Sequence, residues 1–196
     1  MQSKDLFKIK HNNLAPEKGR ILISEPFMRD VFFQRSVILL IEHGANGSMG
    51  FVLNNNTGLV LNNFIEGLEK VAQIPIFLGG PVSSDHLFYI HSLGDTIPDS
   101  IQIDENLYFD GDFESLNYYL MGGQPVEGKI KFFLGYAGWT KSQLLGEIKH
   151  DSWLVGQSSG SKMLHADGES FWKKSVESIG GRYLTWLNYP KDPMLN

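Results

Sequence analysis

Residues Gly156-Gln157-Ser158-Ser159-Gly160 match G-x-S-x-G and follow the short apolar run Trp153–Val155, where a nucleophile elbow would present its serine. Acyl transfer from such a serine needs a histidine to take its proton and a carboxylate to orient that histidine. In the hydrolase order both partners follow the serine, acid first. Here the only later histidine is His165, and no acid lies between it and Ser158. A Ser/Gly turn between a strand and a helix explains the same residues, so Ser158 is not expected to be a nucleophile. The stretch GQSSGSK also misses the phosphate-loop spacing G-x-x-x-x-G-K by one residue.

Six histidines, His11, His43, His86, His91, His150 and His165, raise the question of a metal. None forms H-x-H, H-E-x-x-H or another compact ligand pair, and His86 and His91 fall on opposite sides of a strand. No metal and no cofactor are expected. Glu42-His43, at the end of an apolar run, is the strongest polar pair, and satisfying turn backbone groups accounts for it more simply than ligation. Two glycine turns suit a ligand better. Gly79-Gly80-Pro81 ends an apolar strand, where successive N–H groups can form an anion nest. Gly135-Tyr136-Ala137-Gly138-Trp139 leads into a helix N-terminus, and its rings could wall a pocket. The candidate ligand or partner site is therefore Glu42, His43, Gly79, Gly80, Tyr136 and Trp139. This requires the strands entering the three turns to share a sheet and a direction. If the glycines serve only close backbone packing, no common site exists.

Those turns must be placed by the elements around them. Arg20 opens a short strand, RILIS. SVILLIE from Ser36 and GFVLN from Gly50 read as an antiparallel hairpin with Asn46-Gly47 at its tip. Leu61–Leu68 carries apolar residues on one helical side. IPIFLGG and HLFYIHS flank the Gly79 turn, and Ile101–Ile103 and Leu107–Phe109 are weaker strands. A helix is expected from Asp112 to Gly122 with Phe113, Leu116 and Leu120 inward. KIKFFLGYAGW is a strand running into a turn. Thr140 and Gln143 have capping-box spacing for a helix through Ile148. Trp153–Val155 is a final short strand, and a last helix with Trp172, Val176 and Ile179 on one face stops at Gly180-Gly181. Hairpins mixed with scattered helices predict an α+β fold.

Composition narrows the class. A chain of 196 residues, 42% hydrophobic and 12% aromatic, without cysteine, suits one compact domain with no disulfide or thiolate chemistry. The longest strictly apolar run, Val37–Ile41, is far shorter than the ~20 residues of a membrane-spanning helix. The start, MQSKDLFKIKHNN, lacks an apolar signal core, so a cytoplasmic location is expected. Residues 1–18 read as a weakly structured segment and 19–196 as the single domain. Charge is uneven: residues 36–128 hold twelve acids and one basic residue, Lys70, within a net charge of −5. Such a stretch repels polyphosphate, and an acidic face for a basic partner is the sharper reading of it.

Three blocks in order resemble the YqgE/AlgH family of bacterial proteins. They are Gly19–Asn54 (with Pro26, Asp30, Arg35-Ser36-Val37, Glu42-His43 and Gly50), FLGGPV at 77–82, and Phe132–Trp153 (with Gly135-Tyr136, Gly138-Trp139, Gln143 and Glu147). The chain departs from the family at Asn55-Asn56-Thr57, where members often carry a basic residue and a proline, and at Asn46, where many carry an acid. The resemblance implies a single-domain α+β fold with a mixed, partly barrel-like sheet surrounded by helices. It also implies a family label of transcriptional regulator, with no established catalytic residue.

The leading functional reading is a non-enzymatic cytoplasmic regulatory or binding protein acting on an unknown protein or small-molecule partner. A direct DNA-binding regulator is the second reading. It is disfavoured by the net charge and the lack of a helix basic along one face, which leave little to contact phosphates. The third is an enzyme using a pocket near Glu42, His43 and the GYAGW turn, with Glu147 as a further acid or base.

Overall fold

The computed structural model describes residues 12, 14–140 and 142–190. Among these residues ten strands are present: β1 (Ile21–Ser24), β2 (Val37–Gly44), β3 (Gly47–Val52), β4 (Asn56–Val60), β5 (Pro75–Leu78), β6 (Val82–His91), β7 (Ile101–Asp104), β8 (Leu107–Phe109), β9 (Ile130–Trp139) and β10 (Trp153–Gly156). Four helices accompany them: α1 (Phe113–Met121), α2 (Gln143–Lys149), α3 (Gly160–Leu164) and α4 (Gly168–Ile179). The strands form one sheet in the order β10-β1-β2-β3-β9-β6-β8-β7, with β5 beside β9 and β4 beside β5. β5 and β9 pair in parallel and the other pairs are antiparallel. The sheet is thus mixed, as expected. The strand path is open, ending at β10 and β7, so no hydrogen-bonded barrel closure occurs among the described residues.

β9 is the spine. One of its edges pairs with β5 along Phe132–Leu134 and then with β3 along Ala137–Trp139, while the other edge carries β6. Gly79 sits at the join, donating its N–H to Leu134 O (2.8 Å) and accepting from Val52 N–H (2.8 Å). Gly135, at φ +66°, interrupts the alternation of β9: Leu134 and Tyr136, two residues apart, pack in different cores.

Three cores result. On one face Ile21, Leu39, Phe51 and Phe133 pack beneath Trp172 and Val176 of α4 and the 3₁₀ segment after it. Phe51 and Phe133 stack 4.8 Å apart. The opposite face holds Ile38, Leu40, Ala137 and Trp139 against Leu144 and Ile148 of α2. Further along the sheet, Leu116 and Leu120 of α1 cover Phe132, Tyr89 and Ile74. Each fully buried aliphatic or aromatic side chain contributes about 1.5–3 kcal/mol. Asn54 ties the layers together: its Oδ1 accepts Val37 N–H, and its Nδ2 donates to Arg35 O and Gly168 O, all at 2.9 Å.

The hairpin forms as predicted, with Leu39 opposite Phe51 and Gly44 opposite Gly47. Its turn is shifted by one residue. Ala45 and Asn46 occupy the tip, and Gly47, at φ +131°, pairs within the strand. A Cβ there would strike Trp139 O. Other boundaries also moved. Leu61–Leu68 contains only a 3₁₀ turn at Leu61–Asn63, because Asn62 accepts Ile74 N–H and donates to Leu68 O, holding the segment as a loop. Phe113, expected inward, is exposed, whereas Asp112 caps α1 through Ser115 N–H. The cap of α2 is Ser142, and only half of the predicted box forms, Thr140 N–H donating to Gln143 Oε1 at 3.3 Å. β4 was not foreseen, while the Ser/Gly turn after β10 leads into a helix as read, the short α3. Most of the 1–18 segment, with His11, lies outside the described residues.

Candidate functional site

β2 and β9 are each antiparallel to β3, and β5 is parallel to β9, so the three strands entering the turns run the same way. His43, Ser48 and Trp139 form one row across β2, β3 and β9, and His43 Nδ1 lies 2.8 Å from Ser48 Oγ. Glu42 falls in the next row, opposite Met49, and is exposed. The Gly79 turn lies further back. Leu78 is level with Leu134, roughly 16 Å along the strand from Trp139 at ~3.3 Å per residue.

The sheet separates what the turns bring close. Trp139 is buried in the α2 core, its Nε1 donating to Glu147 Oε2 at 2.8 Å, and Trp153 Nε1 donates to the same oxygen at 2.8 Å. Tyr136 points to the opposite face and meets Phe88 edge-on at 5.8 Å. Gly79 and Gly80 are buried: the Gly79 N–H is already committed, and Gly80 lies against the Tyr136 backbone. They serve a backbone crossing, without the open pair of N–H groups an anion nest requires. Glu147, weighed as an acid or base, anchors two indoles. Glu147→Leu should therefore cost about 2–4 kcal/mol by stranding two indole donors. Urea unfolding followed by tryptophan fluorescence measures this, and a cost below about 1 kcal/mol would contradict the anchoring role.

The serine and histidine motifs resolve simply. Ser159 caps α3, its Oγ 3.4 Å from Lys162 N, and His165 Nδ1 lies 2.8 Å from Ser161 O. Among the described residues Ser158 pairs with no histidine. His91 is buried, with Asp110 O and Ser100 Oγ each 3.0 Å from Nε2, while His86 is exposed beside Asp85. Among the described residues no group of three His, Asp or Glu is placed to hold a metal ion, and no helix is long and apolar enough to cross a membrane.

A different site emerges at the start of β9. The strand begins Ile130-Lys131-Phe132-Phe133, and alternation turns Ile130 and Phe132 into the α1 core, leaving Lys131 on the face of Phe133. Lys131 is 4% exposed. Its Nζ donates to Ala166 O at 2.7 Å and lies 3.2 Å from the centre of the Phe77 ring. Burial pushes this amine down to about 7, against the smaller opposing effect of Asp167. Lys131, Phe77, Ala166 and Asp167 all border one cleft of about 660 Å³, formed by β5, the start of β9, and the segments 70–74, 123–128 and 164–167. Val71, Ile74 and Val126 add apolar wall. Sequence reasoning missed this cleft. Its one visible signal is a lysine in phase with Phe133 inside an otherwise apolar strand.

Arg35 is the other buried cation among the described residues. Its guanidinium stacks over Trp172 at 4.2 Å and donates to Tyr189 O and Pro190 O, with Nε and Nη1 unpartnered. A 350 Å³ hollow lies alongside, but Trp172, Tyr189 and Pro190 do not border it.

One open, mostly antiparallel sheet flanked on both faces by short helices, with a cleft at the start of its central strand, defines a single-domain α+β protein with a preformed small-molecule-sized hollow. The AlgH-like family model matches residues 21–184, and the chain belongs to that family, the YqgE/AlgH family. A UPF0301 protein of Parabacteroides distasonis is 56% identical over 98% of both chains. One from Bacteroides fragilis is 43% identical over 98% of this chain and 97% of its own. The solution structure of AlgH from Pseudomonas aeruginosa superposes with a TM-score of 0.69 at 28% identity, covering 91% of this chain and 97% of that one.

Proposed function

We propose that this chain is a non-enzymatic cytoplasmic binding protein, regulatory in role, whose small-molecule ligand occupies the Lys131 cleft. The cleft itself carries the reading. Its volume of about 660 Å³ suits a small ligand, and its apolar walls surround one buried, orienting polar group. Regulation then follows from ligand occupancy. Charge supports a small ligand over nucleic acid, because the acids of the 36–128 stretch are all exposed except the half-buried Asp112.

Ala72 and Gln73 are exposed residues bordering the cleft. Ala72→Trp is expected to fill the hollow, abolishing fragment binding in ligand-detected NMR while leaving the melting temperature unchanged. Fragments that bind wild type and Ala72→Trp equally would remove the cleft as the binding site.

A further inference from the structure

We propose that the ligand of this cleft is a small carboxylate with an apolar body, its carboxylate resting on the Lys131 amine and its body against Phe77 and Ile74. The inference rests on the cleft being the binding site and adds the chemistry of what fills it.

An ammonium has three donors and no acceptor. In Lys131 one donor meets Ala166 O and a second direction is closed by the Phe77 ring, leaving the third without an acceptor among the described residues. A buried cation in this state is held at a cost unless an anion or a full set of acceptors compensates it. Because Phe77, Ala166 and Asp167, the groups around Nζ, also border the cleft, the missing acceptor can come from that side. Asp167 favours the charged amine through its field but forms no ion pair with it among the described residues. The other charged or titratable groups bordering the hollow are Lys70 and Glu127, both exposed, and His165, which also neighbours Gly128. Lys70 and Glu127 are opposite in sign and, like Asp167, exposed to screening by solvent, so the buried amine is the group that selects charge. A single deep donor flanked by Val71, Ile74 and Phe77 matches one carboxylate and an apolar body; a phosphate dianion would need several converging donors.

Proton uptake is the signature. The free amine titrates near 7, so above that pH an arriving carboxylate must bring the ammonium back, and one proton enters with the ligand. The test is calorimetric titration of phenylacetate and octanoate, each beside its neutral amide, in two buffers of different ionisation heat. At about pH 8.5 close to one proton should be taken up, and at about pH 6 almost none. The affinity of the acids should fall about tenfold per pH unit above 7, while that of the amides stays flat. Lys131→Met, close in shape, should erase both the uptake and the preference for acid while keeping amide binding. The pH profile of the wild type needs no variant and stands if that one folds poorly. Acids and amides binding alike, without proton uptake and both lost in Ala72→Trp, would overturn the carboxylate inference and leave the cleft reading intact. No binding by any probe, or binding undiminished in Ala72→Trp, would overturn both.

Discussion

Lys131→Met is expected to stabilise the protein at neutral and acidic pH and to lose that advantage in alkali. The folded amine titrates near 7, whereas an unburied lysine titrates near 10.5. Between these values the unfolded chain holds a proton that the folded chain has released, so wild-type stability climbs with pH across that window. The slope approaches at most about 1.4 kcal/mol per pH unit. Below about 7 both states are protonated and the burden of the buried charge is constant and largest. Methionine carries no such burden, although it strands Ala166 O at a cost of about 1 kcal/mol. Urea unfolding of both proteins between about pH 6 and 9 should therefore give stability lines that converge as pH rises. Parallel lines would show that the amine keeps an ordinary affinity for its proton.

Gly80→Ala should be among the most damaging single substitutions in the chain, costing roughly 4 kcal/mol or more or preventing folding altogether. A Cβ at Gly80 would fall on the carbonyl carbon and oxygen of Tyr136 and on Ala137 N, all backbone atoms of the central strand. Neither chain can retreat, because the Gly79 N–H is bonded to Leu134 O and β9 is paired along both edges. Gly146→Ala makes the contrast. It lies within α2, where its added methyl would meet nothing within 4 Å beyond its chain neighbours and the backbone of its own helix, and should stabilise by up to about 1 kcal/mol. Thermal unfolding of the two variants side by side separates packing from backbone freedom, and a well-folded Gly80→Ala would refute the crossing.

Much of the fold was legible because local signals agreed with the tertiary outcome. The β2–β3 hairpin had a turn dipeptide between two apolar runs, and α1 and α4 carried an inward stripe and a terminal glycine. Where a side chain competed with the pattern, reading failed: Asn62 spends its amide on Leu68 and Ile74, so a helix-like spacing became a loop. The candidate site residues divide between the two faces of the sheet for a reason already in the sequence. The parity that sets His86 and His91 on opposite faces also separates Tyr136 from Trp139, three residues apart, once β9 runs through to Trp139. The cleft, by contrast, is assembled from segments near positions 72, 125, 131 and 166. No local pattern brings those together. Only the parallel pairing of β5 with β9 and the return of the chain into α4 do so.

The central position of β9 also governs how the chain reaches this structure. β3, β5 and β6 are all made before their common partner, and Ile21 waits for Gly156. During synthesis, β3, β5 and β6 leave the ribosome with the edge that β9 later takes still unpaired. Such non-local topology slows folding and prolongs the exposure of unpaired edges. Chains truncated before residue 130 lack the spine on which three strands assemble, which makes them substrates for chaperones and proteases, and makes the last third of the message decisive for the fate of the first two.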